Sequence, residues 1–128
     1  MTTVVLDTNA LMMPVECDVR VFEELDRVVT EPDPVVPAAV VAELETLAAG
    51  AGEEAAAASV GRDLAERCRT VGTAESYADD AVVELASPEA GLDGCVVTND
   101  RPLRERLLAR GVRVIGLRGA NTLAVTEP

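Results

Sequence analysis

The chain contains no histidine and no lysine, and these absences remove several classes of enzyme. Without histidine there is no Ser-His-Asp hydrolase, no Cys-His nucleophile and no zinc site built on imidazole. The three cysteines, Cys17, Cys68 and Cys95, lack metal-ligand spacing, which favours reduced thiols in a cytoplasm. Catalysis in this chain must therefore depend on carboxylates and a bound hard cation.

Long apolar runs are also missing. No segment approaches the roughly 18 continuous apolar residues that a membrane span requires. The apolar N-terminal stretch has no positive region before it and carries Asp7, unlike a signal peptide. We therefore expect no membrane association and a cytoplasmic location. The length of 128 residues suits one compact domain, covering residues 1–128.

The chain is strongly acidic, with a net charge of −12, and all eleven basic residues are arginine. An acidic composition without lysine is typical of a halophilic archaeal protein, adapted to molar salt inside the cell. In such salt the Debye length shrinks to roughly 3 Å, so surface charges repel a polyanion little. The acidity therefore does not exclude a nucleic-acid partner.

Basic residues are concentrated near the C-terminus. Residues 101–118 hold six arginines and a single acid, Glu105. Such a segment is either the solvated face of an amphipathic helix or a surface for the RNA backbone. On the second interpretation Arg101, Arg104 and Arg110 are the RNA-binding residues, extended by Arg113 and Arg118.

Apolar runs alternate with helical patterns along the chain. This alternation predicts a three-layer α/β/α sandwich with a mostly parallel sheet. Ser76 and Asp79 have capping-box spacing, which predicts a helix that begins after Ser76. The predicted strands cover residues 4–6, 35–36, 94–98 and 112–115, with Val71 and residues 118–128 at the edges; the predicted helices cover residues 17–29, 37–49, 53–70, 77–86 and 101–110.

Five acidic residues follow predicted strands or begin predicted helices. Asp7 ends the first strand and Asp100 follows the strand at residues 94–98, while Glu43, Asp79 and Asp80 lie early in helices. Each has a structural alternative, because acids at these positions also cap helices or stabilise their dipoles. Together they predict a site for Mg²⁺ or Mn²⁺, cations that prefer oxygen ligands.

Four segments carry these acids in the order of the motifs of PIN-domain ribonucleases, which the whole chain resembles. They are residues 6–11, 41–45, 78–83 and 97–100. The resemblance implies an α/β/α sandwich that cleaves single-stranded RNA with Mg²⁺ or Mn²⁺. By position it assigns the catalytic and metal-binding roles to Asp7, Glu43, Asp80 and Asp100, with Asp79 the alternative to Asp80, and supporting hydrogen bonds to Asn9, Thr98 and Asn99.

Within the family, residues 77–80 and 98–104 look most similar to archaeal relatives of the PIN nuclease of the small-subunit processome. This similarity implies rRNA processing, with pre-rRNA as substrate, a ribosome-assembly factor as partner and a possible homodimer. The alternatives are a VapC-type toxin held by an antitoxin, and a catalytically silent scaffold that binds RNA or protein. Aspartate-nucleophile phosphatases and receiver-like domains are disfavoured, because both normally use a lysine near the site.

Overall fold

A computed structural model describes residues 1–87 and 94–128 of the chain. No helix in these residues is both long and apolar enough to cross a membrane. The elements, in chain order, are β1 (Thr2–Leu6), α1 (Thr8–Glu16), α2 (Val21–Val28), β2 (Pro32–Pro37), α3 (Ala38–Ala48), α4 (Gly52–Ala65), β3 (Arg69–Val71), α5 (Ala78–Ala86), β4 (Gly94–Val97), α6 (Arg101–Ala109), β5 (Arg113–Arg118) and β6 (Thr122–Thr126).

The strands form one sheet in the order β3-β2-β1-β4-β5-β6. All neighbouring pairs are parallel except β5 and β6, which form an antiparallel hairpin at one edge. The chain runs outward from β1 to β3, then crosses to β4 and continues the other way. Because crossovers between parallel strands are right-handed, α1 to α4 cover one face and α5 and α6 the other. The predicted α/β/α fold is confirmed.

The reversal of strand order lies between β1 and β4. Val5 is paired with Val96 and Leu6 with Val97, so the two strands end at the same level. In open parallel sheets such a switch point creates a crevice beyond the carboxyl ends of the strands. The chain therefore presents Asp7 and Asp100 at the mouth of this crevice.

The apolar pattern located most elements but missed α1. Residues Ala10 to Met13 of that helix are all buried, so the segment has no polar face and no helical periodicity. The predicted capping box at Ser76 was also wrong. Helix α5 begins one residue later, its N-cap is Tyr77, and no side chain caps it.

Helix α1 is held against α4 by a close contact between backbones. A Cβ atom added at Gly61 of α4 would lie 2.9 Å from the carbonyl oxygen of Leu11 and 3.1 Å from Leu44 Cδ2. Only a glycine at this position lets α4 approach so closely. Since α1 begins directly after Asp7, the contact also helps to fix the first residues of the pocket described below.

We predict that Gly61→Ala destabilises the protein by about 1–3 kcal/mol, because the new methyl group must displace the α1 backbone. Gly72→Ala is the matched control, since nothing lies within 4 Å of a Cβ atom there. Urea denaturation of both variants measures the difference. Equal stabilities would show that the α1–α4 contact tolerates a side chain.

Candidate active site

An open pocket of about 300 Å³ lies beyond the carboxyl ends of β1 and β4. Its walls come from both helical layers and are rich in carboxylates. The acids that line it are Asp7, Glu16, Glu43, Glu54, Asp79 and Asp100, together with Thr8, Asn9, Met12 and Leu47. The topology therefore brings together acids that are up to 93 residues apart in sequence, as the residue numbers of Asp7 and Asp100 show.

Asp7 is the most buried acid of the pocket, with 3 % of its surface exposed. Its Oδ1 accepts a hydrogen bond of 2.6 Å from the backbone N–H of Ala10, and its Oδ2 accepts one from the Thr98 hydroxyl. The pKa of Asp7 is raised to about 7, mainly by burial and to a smaller extent by the nearby charges of Asp79 and Asp100. Both hydrogen bonds favour the charged form and oppose this rise. Asp7 thus caps α1 and also faces the pocket.

The Thr98 hydroxyl joins the two strand-end acids. While it donates to Asp7, its oxygen accepts the backbone N–H of Asp100 at 3.1 Å. Asp100 in turn caps α6, where its Oδ1 accepts the N–H of Leu103 at 2.9 Å. Thr98 is completely buried, so no water competes for these bonds. The hydroxyl therefore fixes the position of one carboxylate relative to the other.

A second link crosses the same gap nearer the surface. The Oδ1 of Asn9 in α1 accepts the backbone N–H of Asn99 at 3.1 Å. The loop after β4 is thus attached to the start of α1 by a side chain from each segment, Asn9 from one and Thr98 from the other. Asn99 contributes its backbone to this link.

Glu43 and Asp79 approach from α3 and α5, two helices that contact each other. Partial burial raises the pKa of Glu43, and the charge of Asp79 raises it further. Burial also raises the pKa of Asp79, with a contribution from Asp100 and an opposing one from Arg106. The mutual repulsion of these carboxylates shows that they share one electrostatic environment.

The expectation that Asp80 joins this pocket was wrong. Asp80 forms an ion pair of 2.8 Å with Arg106 of α6 and lines a different pocket, about 420 Å³ in volume, on the far side of α5. Adjacent helix residues are separated by about 100° around the axis, so only one of the pair can face the crevice. The acid that faces it is Asp79.

The three arginines predicted to lie beside the metal site are not together. Arg101 is exposed and pairs with Glu105, and Arg110 lines the pocket of Asp80. Arg104 alone of the three lies beside Thr98 and Asn99, in a cleft that it shares with Arg118. A single continuous strip of arginines is therefore not present in the described part of the chain.

Three polar residues of the acidic pocket were not predicted from the sequence. Glu16 and Glu54 line its outer part, at the end of α1 and the start of α4. Thr8 lies deeper, and its hydroxyl is the one buried side-chain polar atom without a hydrogen-bond partner in residues 1–87 and 94–128. Its proximity to the Glu43 carboxyl lowers the pKa of that group, against the effect of burial. Glu16 and Thr8 were not predicted because both belong to α1, the helix that the sequence pattern missed.

The donor set fits a hydrated divalent cation. No three carboxylates in the described ranges converge closely enough to ligate one ion together. Mg²⁺, however, normally keeps several waters and takes only one or two carboxylates directly. The Thr8 hydroxyl is buried, has no hydrogen-bond partner in the described ranges and lies among carboxylates, so it could hydrogen-bond to one of these waters.

The fold and the pocket define an α/β protein with a carboxylate site at its topological switch point. Comparison with known families identifies the class: a family model described as a PIN-like domain matches residues 4–120. The chain belongs to this family. The search of curated proteins found no match.

Two solved structures extend this result. The PIN-domain endonuclease Utp24 is 25% identical, with a TM-score of 0.77 over 98% of this chain and 92% of that one. A domain of a functionally unknown protein from Methanocaldococcus jannaschii is 21% identical, with a TM-score of 0.67 over 94% of each chain. The second likeness bears on the fold alone. Family membership and the likeness to an endonuclease support a nuclease function in general.

The raised pKa of Asp7 predicts how the stability of the metal-free protein depends on pH. The folded protein keeps a proton on Asp7 up to about pH 7, whereas the unfolded chain loses it near 3.8. Between these two pH values unfolding releases a proton. The free energy of unfolding therefore falls as the pH rises from 4 to 7, by about 1.4 kcal/mol for each pH unit.

We expect Asp7→Asn to remove most of this fall and to be more stable than the parent above pH 7 in EDTA. Urea denaturation across the pH range measures it, with the exposed Glu66→Gln as control. A parent and an Asp7→Asn variant with parallel pH profiles would contradict the account of Asp7.

Proposed function

We propose that this protein is a metal-dependent endoribonuclease that uses Mg²⁺ or Mn²⁺. The observation that carries the proposal is the convergence of Asp7, Glu43, Asp79 and Asp100 on one open pocket at the carboxyl edge of the sheet. No basic residue of the described ranges lines this pocket. A divalent cation would offset its negative charges, and an open pocket leaves room for a phosphodiester.

The four carboxylates have different tasks in this proposal. Asp7 and Asp100 would hold the cation, because Thr98 fixes their relative positions and each is anchored as a helix cap. Glu43 and Asp79 would orient its water ligands from the other two walls. When bound, the cation lowers the pKa of a water and stabilises charge on the phosphodiester. Glu43, the more exposed of these two acids, would accept a proton from the attacking water.

We propose RNA as the substrate, and pre-rRNA as its natural source. This part rests on the resemblance of residues 77–80 and 98–104 to archaeal relatives of the processome nuclease. The likeness to the PIN-domain endonuclease Utp24 supports cleavage within a strand rather than from an end.

A circular single-stranded RNA tests the endonuclease directly, because a circle has no ends for an exonuclease. We expect the parent to linearise it with Mn²⁺ or Mg²⁺ in high-salt buffer, and EDTA to stop the reaction. Asp7→Asn should lose activity by at least about 100-fold while remaining folded. An Asp7→Asn variant that cuts as fast as the parent would refute the mechanism.

The neighbours Asp79 and Asp80 provide an internal control. Asp79→Asn should lower the cleavage rate by about 10- to 100-fold, whereas Asp80→Asn loses only an exposed ion pair and should stay within about threefold. Rates on the same circular RNA decide between them. The reverse order would return the third position to Asp80.

The natural substrate is tested by sequencing the RNA ends produced in host extract by the parent and not by Asp7→Asn. Ends within pre-rRNA are expected. If tRNA halves accumulate instead, and a small partner co-purifies with the protein, the toxin alternative replaces the rRNA proposal.

A further inference from the structure

A second cleft, of about 310 Å³, lies beside the acidic pocket between α6 and the β5–β6 hairpin. Its floor is formed where Gly116 pairs with Ala124, and the small size of both residues leaves the space open. Thr98 and Asn99 form the wall nearest the acidic pocket, and Arg104, Arg118 and Thr126 complete the polar lining.

The charge of this cleft is opposite to that of its surroundings. Among the described residues that line it there are two arginines and no acid, although the whole chain carries a net charge of −12. Within residues 1–87 and 94–128, no ion pair includes Arg104 or Arg118. Other arginines do have partners: Arg69 pairs with Asp33, and Arg106 with Asp80. Among the described residues, both guanidinium groups of the cleft therefore lack a carboxylate partner.

Arg104 is also held in place. It is half-buried, and its Nη2 donates a hydrogen bond of 3.1 Å to Thr126 Oγ1 of β6. A fixed guanidinium loses little entropy when it binds an anion and offers a planar pair of donors suited to phosphate. Arg118, at the end of β5, is exposed and approaches from the other strand of the hairpin.

The cleft and the acidic pocket share one wall. Thr98 lies in the wall of the cleft, and its buried hydroxyl donates to Asp7. Asn99, which also lines the cleft, is followed directly by Asp100 of the acidic pocket. A ligand that occupies both the cleft and the acidic pocket must therefore be elongated. It must be anionic in the cleft and able to bind a cation in the acidic pocket. A nucleic-acid strand meets these conditions, because its phosphates repeat along the chain.

We propose that the cleft of Arg104 and Arg118 binds a phosphodiester of single-stranded RNA that neighbours the one at the acidic pocket. The inference rests on the proposed function and specifies which part of the surface holds the strand. It separates these two arginines from Arg101, which pairs with Glu105, and from Arg110, which lies in the pocket of Asp80. The strand then follows a path over the exposed Asn99, from the hairpin to the acidic pocket.

The test is binding of a short labelled single-stranded RNA, measured by fluorescence polarisation with Mg²⁺ on the Asp7→Asn background. The double variant Arg104→Ala/Arg118→Ala should bind at least about tenfold more weakly, and the slope of log affinity against log salt should fall by about 0.7 to 1.4, for one or two phosphates. The control Arg20→Ala/Arg62→Ala makes the same change in net charge away from the cleft, since Arg20 precedes α2 and Arg62 lies in α4. Its RNA affinity should stay within about twofold of the background.

Circular dichroism confirms that each variant is folded, and a gel confirms that the RNA remains intact. Equal affinity of the cleft variant and its background, an equal loss in the control pair, or no RNA binding by the background protein would overturn the inference. If the Asp7→Asn protein cuts the RNA, the proposed mechanism is contradicted and the inference about the arginines is not. Their contribution to RNA affinity is then measured in EDTA, where no cleavage occurs.

The same variants distinguish a strand from a free phosphate group. We expect inorganic phosphate and a mononucleotide to compete weakly, and equally so with and without the two arginines. If the arginine variant loses affinity for the mononucleotide as much as for the strand, the cleft is a nucleotide site and the proposed path of the strand is wrong.

Discussion

The carboxylate of Asp7 is buried where β1 ends, with other acids nearby. The hydrogen bonds at this edge of the sheet hold it there. Its two oxygens accept the N–H of Ala10 and the hydroxyl of Thr98, yet its pKa remains raised to about 7 because burial outweighs both bonds. Without a cation this arrangement costs stability at neutral pH. A ligand that binds only the folded protein would recover this stability.

The fold keeps the acids together although they repel one another. The switch point brings β1 and β4 side by side, and Thr98 bridges the residues that follow them. Helices from both faces then add Glu43 and Asp79 at the same edge. Asp79 also lies in the first turn of α5, so the structural role considered at the sequence level falls on residues that line the pocket. Asp7 and Asp100 each cap a helix and line the pocket at once.

Composition and apolar patterning were sufficient to predict the α/β class, the edge strands and the meeting of Asp7 with Asp100. They were insufficient where packing decides. Helix α1 lies between the sheet and α4, so its apolar residues are consecutive and give no periodicity. Asp79 and Asp80 have similar neighbours in sequence, and only the residue at which α5 begins determines which of them faces the crevice. The arginine segment likewise divides among three environments, because successive residues of α6 point in different directions.

The central claim is that a divalent cation occupies the acidic pocket beside Asp7. Anomalous diffraction from crystals soaked in Mn²⁺ tests it most directly, since the signal locates the ion without reference to activity. The account predicts a single strong site or a close pair within the pocket of Asp7, Glu43, Asp79 and Asp100, lost in Asp7→Asn crystals. Manganese bound at Asp80, or no anomalous signal in the pocket in crystals of a protein that cuts RNA with Mn²⁺, would contradict it.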